Sequence, residues 1–81
     1  MFEVTVDRPA DEMLTECVAR GLIVKLETFE RTRGGARHWH LGYPKQPGVL
    51  ELTDLGERTS LRVADRRDGG WATEFARDLA R

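Results

Sequence analysis

From Leu22 to Asp65, apolar and polar residues alternate, and segments containing glycine or proline interrupt the alternation at 34–35, 44–47 and 55–56. A period of two indicates β-strands that bury one face and leave the other open. Because short turns connect strands of opposite direction, the four runs predict an antiparallel meander. Its strands are expected at 22–31, 36–43, 48–54 and 58–65.

Other patterns flank the meander. Residues 2–6 alternate as a short strand, and an apolar stripe with helical spacing follows at 10–18 before Gly21, a residue typical of helix ends. Trp71, Phe75 and Leu79 recur every fourth residue with Ala72 and Ala76 beside them, and this stripe predicts a last helix that faces the sheet after a capping segment at 68–70. The expected fold is α+β with the order β-α-β-β-β-β-α. A four-stranded antiparallel meander and a short N-terminal strand would carry both helices on one face.

The position of the first strand stays open at this point. A right-handed crossover through the first helix would place it parallel to the second strand. It could instead cover the other edge of the meander, and the alternation favours neither arrangement.

The turn positions predict which residues lie opposite one another. The expected pairs are Arg31–His38 and Phe29–His40, His40–Glu51 and His38–Thr53, and Glu51–Ser60 and Thr53–Arg58. Opposite residues in an antiparallel sheet point to the same face. The same registers place a set of apolar residues on the other face: Trp39, Leu41, Leu50, Leu52 and Leu61.

The face without helices is the expected site of any function. Its mixed polar and apolar side chains favour a non-catalytic module that binds a protein partner or a second copy of the chain through this face or a sheet edge. The candidate partner-binding residues are Phe29, His38, His40, Glu51 and Arg62. No catalytic residues and no cofactor are expected. The register puts Ser60 two strands, about 9–10 Å, from His40, too far for a hydrogen bond between nucleophile and base.

A metal site is the first alternative. His38 and His40 lie on one face of a strand by alternation, and Glu51 is expected opposite His40. Two imidazoles and a carboxylate can bind zinc and leave a coordination position open. The competing interpretation is a pair of solvated surface histidines next to a glutamate.

Nucleic-acid binding is the second alternative. Four arginines gather at one end of the predicted sheet, and guanidinium groups suit phosphate contacts. They are Arg31, Arg33, Arg37 and Arg58. The chain as a whole argues against this function, because 13 basic and 14 acidic residues give a net charge of -1.

Length and composition set the remaining limits. The 81 residues predict a single domain, residues 1–81, too small for a large internal cofactor cavity. Cys17 is the only cysteine, so no intrachain disulfide can form, and its place on the apolar stripe predicts a buried thiol. The sequence shows no secretory signal and no run long enough to span a membrane, so a cytoplasmic location without membrane contact is expected.

Overall fold

The computed structural model describes the backbone of residues 1–81 and the side chains of all residues except Arg33. The helices of this described chain are α1 (Ala10–Ala19) and α2 (Ala72–Leu79). Its strands are β1 (Phe2–Val6), β2 (Ile23–Glu30), β3 (Ala36–Gly42), β4 (Leu50–Asp54) and β5 (Thr59–Val63), with a 3-10 turn at Arg31–Arg33. The predicted α+β class and element order are confirmed.

The strands form one antiparallel sheet in the order β1-β5-β4-β3-β2. The first strand therefore covers the far edge of the meander, next to β5. Because β1 and β2 lie at opposite edges, the segment containing α1 must cross the sheet. A ten-residue helix is about 15 Å long and four strand spacings are about 19 Å, so α1 covers most of that width.

Both helices pack on the same face of the sheet, where α1 contacts β2 and β4 and α2 contacts β4 and β5. We call this the inner face and the opposite one the outer face. The inner face carries the predicted apolar set, and each member is at most 2% exposed: Trp39, Leu41, Leu50, Leu52 and Leu61. Burying a side chain of this size contributes about 1.5–3 kcal/mol.

Two side chains of α1 join these residues in the core. Met13 and Cys17 of α1 are fully buried, and burial raises the pKa of the Cys17 thiol to about 12. Cys17 is thus the buried, unreactive thiol that the sequence predicts.

The predicted stripe on α2 faces the sheet, and its members are buried to different extents. Ala72, Ala76 and Leu79 are buried, whereas Trp71 and Phe75 are half-buried at the rim. The indole N–H of Trp71 donates to the Pro47 carbonyl (2.8 Å), which keeps that ring at the edge of the core where a polar acceptor is available.

The predicted register between β2 and β3 is wrong. His38 pairs with Thr28 and His40 with Leu26, while Phe29 pairs with Arg37. The connection spans residues 31–35, because the 3-10 turn precedes the two glycines and lengthens the expected two-residue loop. A shift of three residues reverses the faces of β2 from Leu26 to Glu30, so Phe29 lies on the inner side, exposed at the sheet edge.

The register between β3 and β4 is confirmed, with His38 opposite Thr53 and His40 opposite Glu51. Between β4 and β5 it is wrong by two residues, because Glu51 pairs with Arg62 and Thr53 with Ser60. The turn there runs from 55 to 58, with the Leu55 N–H donating to the Arg58 carbonyl. An even shift leaves every side chain on its predicted face.

Candidate metal centre

Adjacent strands β3 and β4 present the candidate ligands on the outer face. Alternation along β3 places His38 and His40 on this face, and the confirmed register sets Glu51 beside them. The loop joining the two strands is held by backbone contacts to the segment after β5, where the Val49 N–H donates to the Arg67 carbonyl (2.8 Å). The relative positions of the ligands therefore depend on tertiary contacts as well as on strand pairing.

The three side chains converge on one point. His38 Nε2 lies 3.1 Å from His40 Nε2 and 3.2 Å from Glu51 Oε1, and His40 Nε2 lies 3.8 Å from Glu51 Oε1. We call His38, His40 and Glu51 the outer-face triad. Their ligand atoms form a group that could hold a metal ion.

The distances between the three ligand atoms match those between ligand atoms around a tetrahedral zinc ion. Ligand atoms at zinc distances of about 2.0–2.1 Å in tetrahedral geometry lie about 3.3–3.4 Å apart. Edges of 3.1, 3.2 and 3.8 Å around the outer-face triad bracket that separation. Small rotations of the His40 ring would complete the face of a tetrahedron.

His38 is held from its other ring nitrogen. Its Nδ1 lies 2.8 Å from Thr53 Oγ1 and 3.7 Å from Glu30 Oε2. Metal-binding histidines usually donate their second N–H to a partner of this kind, which sets the ring orientation and makes the ligand nitrogen more basic. A proton on Nδ1 would face Thr53 and Glu30 and would leave the Nε2 lone pair of His38 directed at the centre of the triad.

The triad is shielded although no helix of the described chain covers the outer face. The side chains of His38 and Glu51 are 6% and 10% exposed, and that of His40 is 24% exposed. Every buried side-chain nitrogen or oxygen among the described residues has a hydrogen-bond partner. His38 and Glu51 are therefore fixed in place, while His40 leaves one side of the triad open to solvent.

Burial lowers the pKa of the His40 imidazole from its ordinary value, against an opposing effect of Glu51 and with the help of His38 and Arg67. At neutral pH, His40 is thus the uncharged imidazole that a metal ligand must be.

Ser60 takes no part in the triad. It pairs with Thr53, and its hydroxyl donates to Glu3 (3.1 Å) on β1. A serine nucleophile activated by His40 is therefore not assembled here.

The predicted arginine cluster is not assembled as one basic surface among the described side chains. Arg37 lies on the inner side, pairs with Glu27 and Asp11, and stacks over the Trp39 ring. Arg58 lies 4.0 Å from Asp7. Arg31 is exposed on the 3-10 turn, and the Arg33 side chain lies outside the described part of the structure.

Of the candidate partner-binding residues, Arg62 is on the outer face as predicted and Phe29 is not. Arg62 stands between Glu51 and Glu3 and donates from Nε to the Met1 thioether (3.0 Å). Glu30 joins the site although the sequence did not indicate it, because its position depends on the length of the β2–β3 connection.

No helix in the described chain has the length and apolar character needed to cross a membrane. Comparison of the chain with protein-family models, curated proteins and solved structures found no match.

Proposed function

We propose that this protein binds one divalent transition-metal ion through His38 Nε2, His40 Nε2 and a carboxylate oxygen of Glu51. The observation that carries the proposal is the convergence of these atoms into a triangle with edges of 3.1, 3.2 and 3.8 Å. The contacts of His38 Nδ1 with Thr53 and Glu30 supply the outer support that such a site needs.

The types of ligand atom in the outer-face triad indicate which class of metal ion it would bind. Magnesium and calcium prefer oxygen ligands, whereas two imidazoles with one carboxylate suit zinc and its neighbours in the transition series. Three protein ligands leave at least one position for a ligand from solution. His40, the most exposed member of the triad, marks the side on which that position would open.

Titration with cobalt(II) tests the proposal, because cobalt replaces zinc and absorbs visible light strongly in a tetrahedral site. We expect a saturable visible band at one equivalent, displaced by zinc. His40→Ala and Glu51→Gln should abolish the band or weaken binding by at least about tenfold. Glu57→Gln, in the exposed β4–β5 turn, is the matched control and should leave binding unchanged. If the folded wild type shows no cobalt band and retains no zinc, the proposal is wrong.

Self-association is a second candidate function, and one surface favours it. The edge strand β2 exposes large apolar side chains at Ile23, Val24, Leu26 and Phe29. Ile23 and Leu26 project from the outer face and Val24 and Phe29 from the inner face, and an edge strand with one unpaired side can pair with a strand of another chain. In sedimentation experiments the wild type should dimerise with rising concentration and Leu26→Lys should remain monomeric. A wild type that stays monomeric at the highest concentration would exclude this candidate.

A further inference from the structure

A β-bulge lies in β2 beside the outer-face triad. Val24 pairs with Leu41 and Leu26 with His40, so Lys25 is an extra residue between two successive pairs. Bulges are frequent next to functional sites, where they redirect a side chain.

The bulge directs Lys25 across the outer face, over Gly42 of β3. A Cβ at position 42 would lie 2.8 Å from Lys25 Cε and 3.2 Å from Lys25 Nζ, so only glycine accommodates this lysine without displacing it. Gly42 follows His40 by two residues on the same face, a separation of about 6.7 Å along the strand. The Lys25 ammonium group therefore lies at the His40 end of the triad.

A second cation, Arg67, belongs to the segment after β5. Its backbone carbonyl accepts the Val49 N–H at the end of the β3–β4 loop, and its positive charge contributes to the lowered pKa of His40. Among the described side chains, no carboxylate lies within ion-pair distance of Lys25 or Arg67. Arg62, by contrast, stands between two glutamates.

We propose that the metal held by the outer-face triad binds a phosphate-type oxyanion at its open position, with Lys25 and Arg67 contacting the other oxygens. This inference rests on the proposed metal site and names its ligand. The carboxylates of Glu51 and of Glu30 beside His38 balance the two charges of a divalent ion, and Lys25 and Arg67 then add two positive charges. A dianion with several acceptor oxygens matches that arrangement better than a carboxylate, which offers one charge and two oxygens.

The test uses the protein loaded with substoichiometric cobalt(II) and inorganic phosphate as the probe. Phosphate should change the cobalt band in a saturable manner, whereas acetate at matched ionic strength should have a much weaker effect. Lys25→Gln and Arg67→Gln should each weaken phosphate binding by about tenfold, since each removes a charge-assisted contact. Cobalt affinity should not fall, because neither residue is a ligand and the loss of a nearby positive charge does not disfavour a bound cation. Arg81→Gln, at the exposed end of the chain, is the matched control.

The outcomes separate the two proposals. A normal cobalt band that phosphate leaves unchanged would overturn the oxyanion site and leave the metal site intact. Equal phosphate affinity in wild type, Lys25→Gln and Arg67→Gln would also overturn it, because phosphate would then bind the metal alone. Absence of any cobalt band would overturn both.

Discussion

At the scale of single residues, the site depends on side chains that are uncommon in a small sheet protein. His38 and Glu51 are buried on a sheet face that carries no helix in the described chain, and none of their buried nitrogen or oxygen atoms lacks a hydrogen-bond partner. Buried polar groups are destabilising unless they are paired. In this protein the pairing among His38, Glu51 and Thr53 offsets that cost.

Thr53 should orient His38, and Thr53→Val tests this without changing the volume of the side chain. Loss of the 2.8 Å contact with His38 Nδ1 is expected to weaken cobalt binding by roughly 10–100-fold. Thr28→Val is the matched control, since Thr28 is the exposed neighbour of His38 on the opposite strand. Equal metal affinity of the two variants, measured by competition with a chelator, would contradict this role.

His40 should make the metal-free protein sensitive to acid. Its folded-state pKa is lowered, so the unfolded chain takes up the proton first and the free energy of unfolding falls as the pH drops below about 6.5. Urea titrations between about pH 5 and 7.5 should show this loss, reduced in His40→Gln. The depressed carboxyl pKa values of Glu16 and Asp68 act only at lower pH. An unchanged slope in His40→Gln would contradict the assignment.

At the scale of elements, a contact between two loops supports the strands that carry the outer-face triad. The segment 47–48 packs against 68–70, where the Asp68 carboxylate accepts the Gly70 and Thr73 N–H groups at the start of α2. These two segments of the chain approach so closely that a Cβ added at Gly69 would lie 2.2 Å from the Pro47 carbonyl oxygen. This contact joins the β3–β4 loop to α2, and through Val49 it supports the strands that carry the ligands.

Gly69→Ala should therefore destabilise the protein far more than Gly70→Ala. Both glycines have positive φ (62° and 84°), so both substitutions carry backbone strain of about 1–2 kcal/mol. Only Gly69 also meets backbone atoms, whereas Gly70 has nothing within 4 Å of an added Cβ. We expect an additional loss of at least about 2 kcal/mol for Gly69→Ala in chemical denaturation. Equal losses of unfolding free energy in Gly69→Ala and Gly70→Ala would contradict this expectation, because they would show that the two loops can separate without destabilising the protein.

At the scale of the whole molecule, the site exists only in the folded chain. His40 and Glu51 belong to different strands, and the segments that support them reach from β2 to the turn before α2. The radius of gyration of 11.4 Å agrees with the value of about 12 Å for a compact chain of this length. In such a small protein, a ligand that binds the folded state contributes a large share of the total stability.

Metal should accordingly stabilise the fold. Zinc at about 100 times its dissociation constant should raise the free energy of unfolding by about 2.7 kcal/mol, and a chelator should reverse the gain. Thermal unfolding of wild type and Glu51→Gln, with and without zinc, measures the effect. A similar zinc-induced rise in Glu51→Gln would place the metal elsewhere on the chain.

The sequence by itself determined the element order, the inner-face residues and the pairing of His40 with Glu51. Alternation assigns faces within a strand, and the loop at 44–47 was correctly placed between β3 and β4. The three residues of the metal hypothesis lie together in the structure, although the sequence favours solvated histidines over a site.

Tertiary structure decided the rest. The 3-10 turn at Arg31–Arg33 and the bulge at Lys25 each change the residue count of β2 relative to β3, and each odd change exchanges the faces. Phe29 consequently lies on the inner face and Glu30 lies beside His38, while beyond the bulge Lys25 keeps the outer face that alternation predicts for it. Such shifts depend on backbone geometry that residue types do not encode locally. The orientation of His38 likewise follows from Thr53 and Glu30, which only the folded sheet places on either side of it.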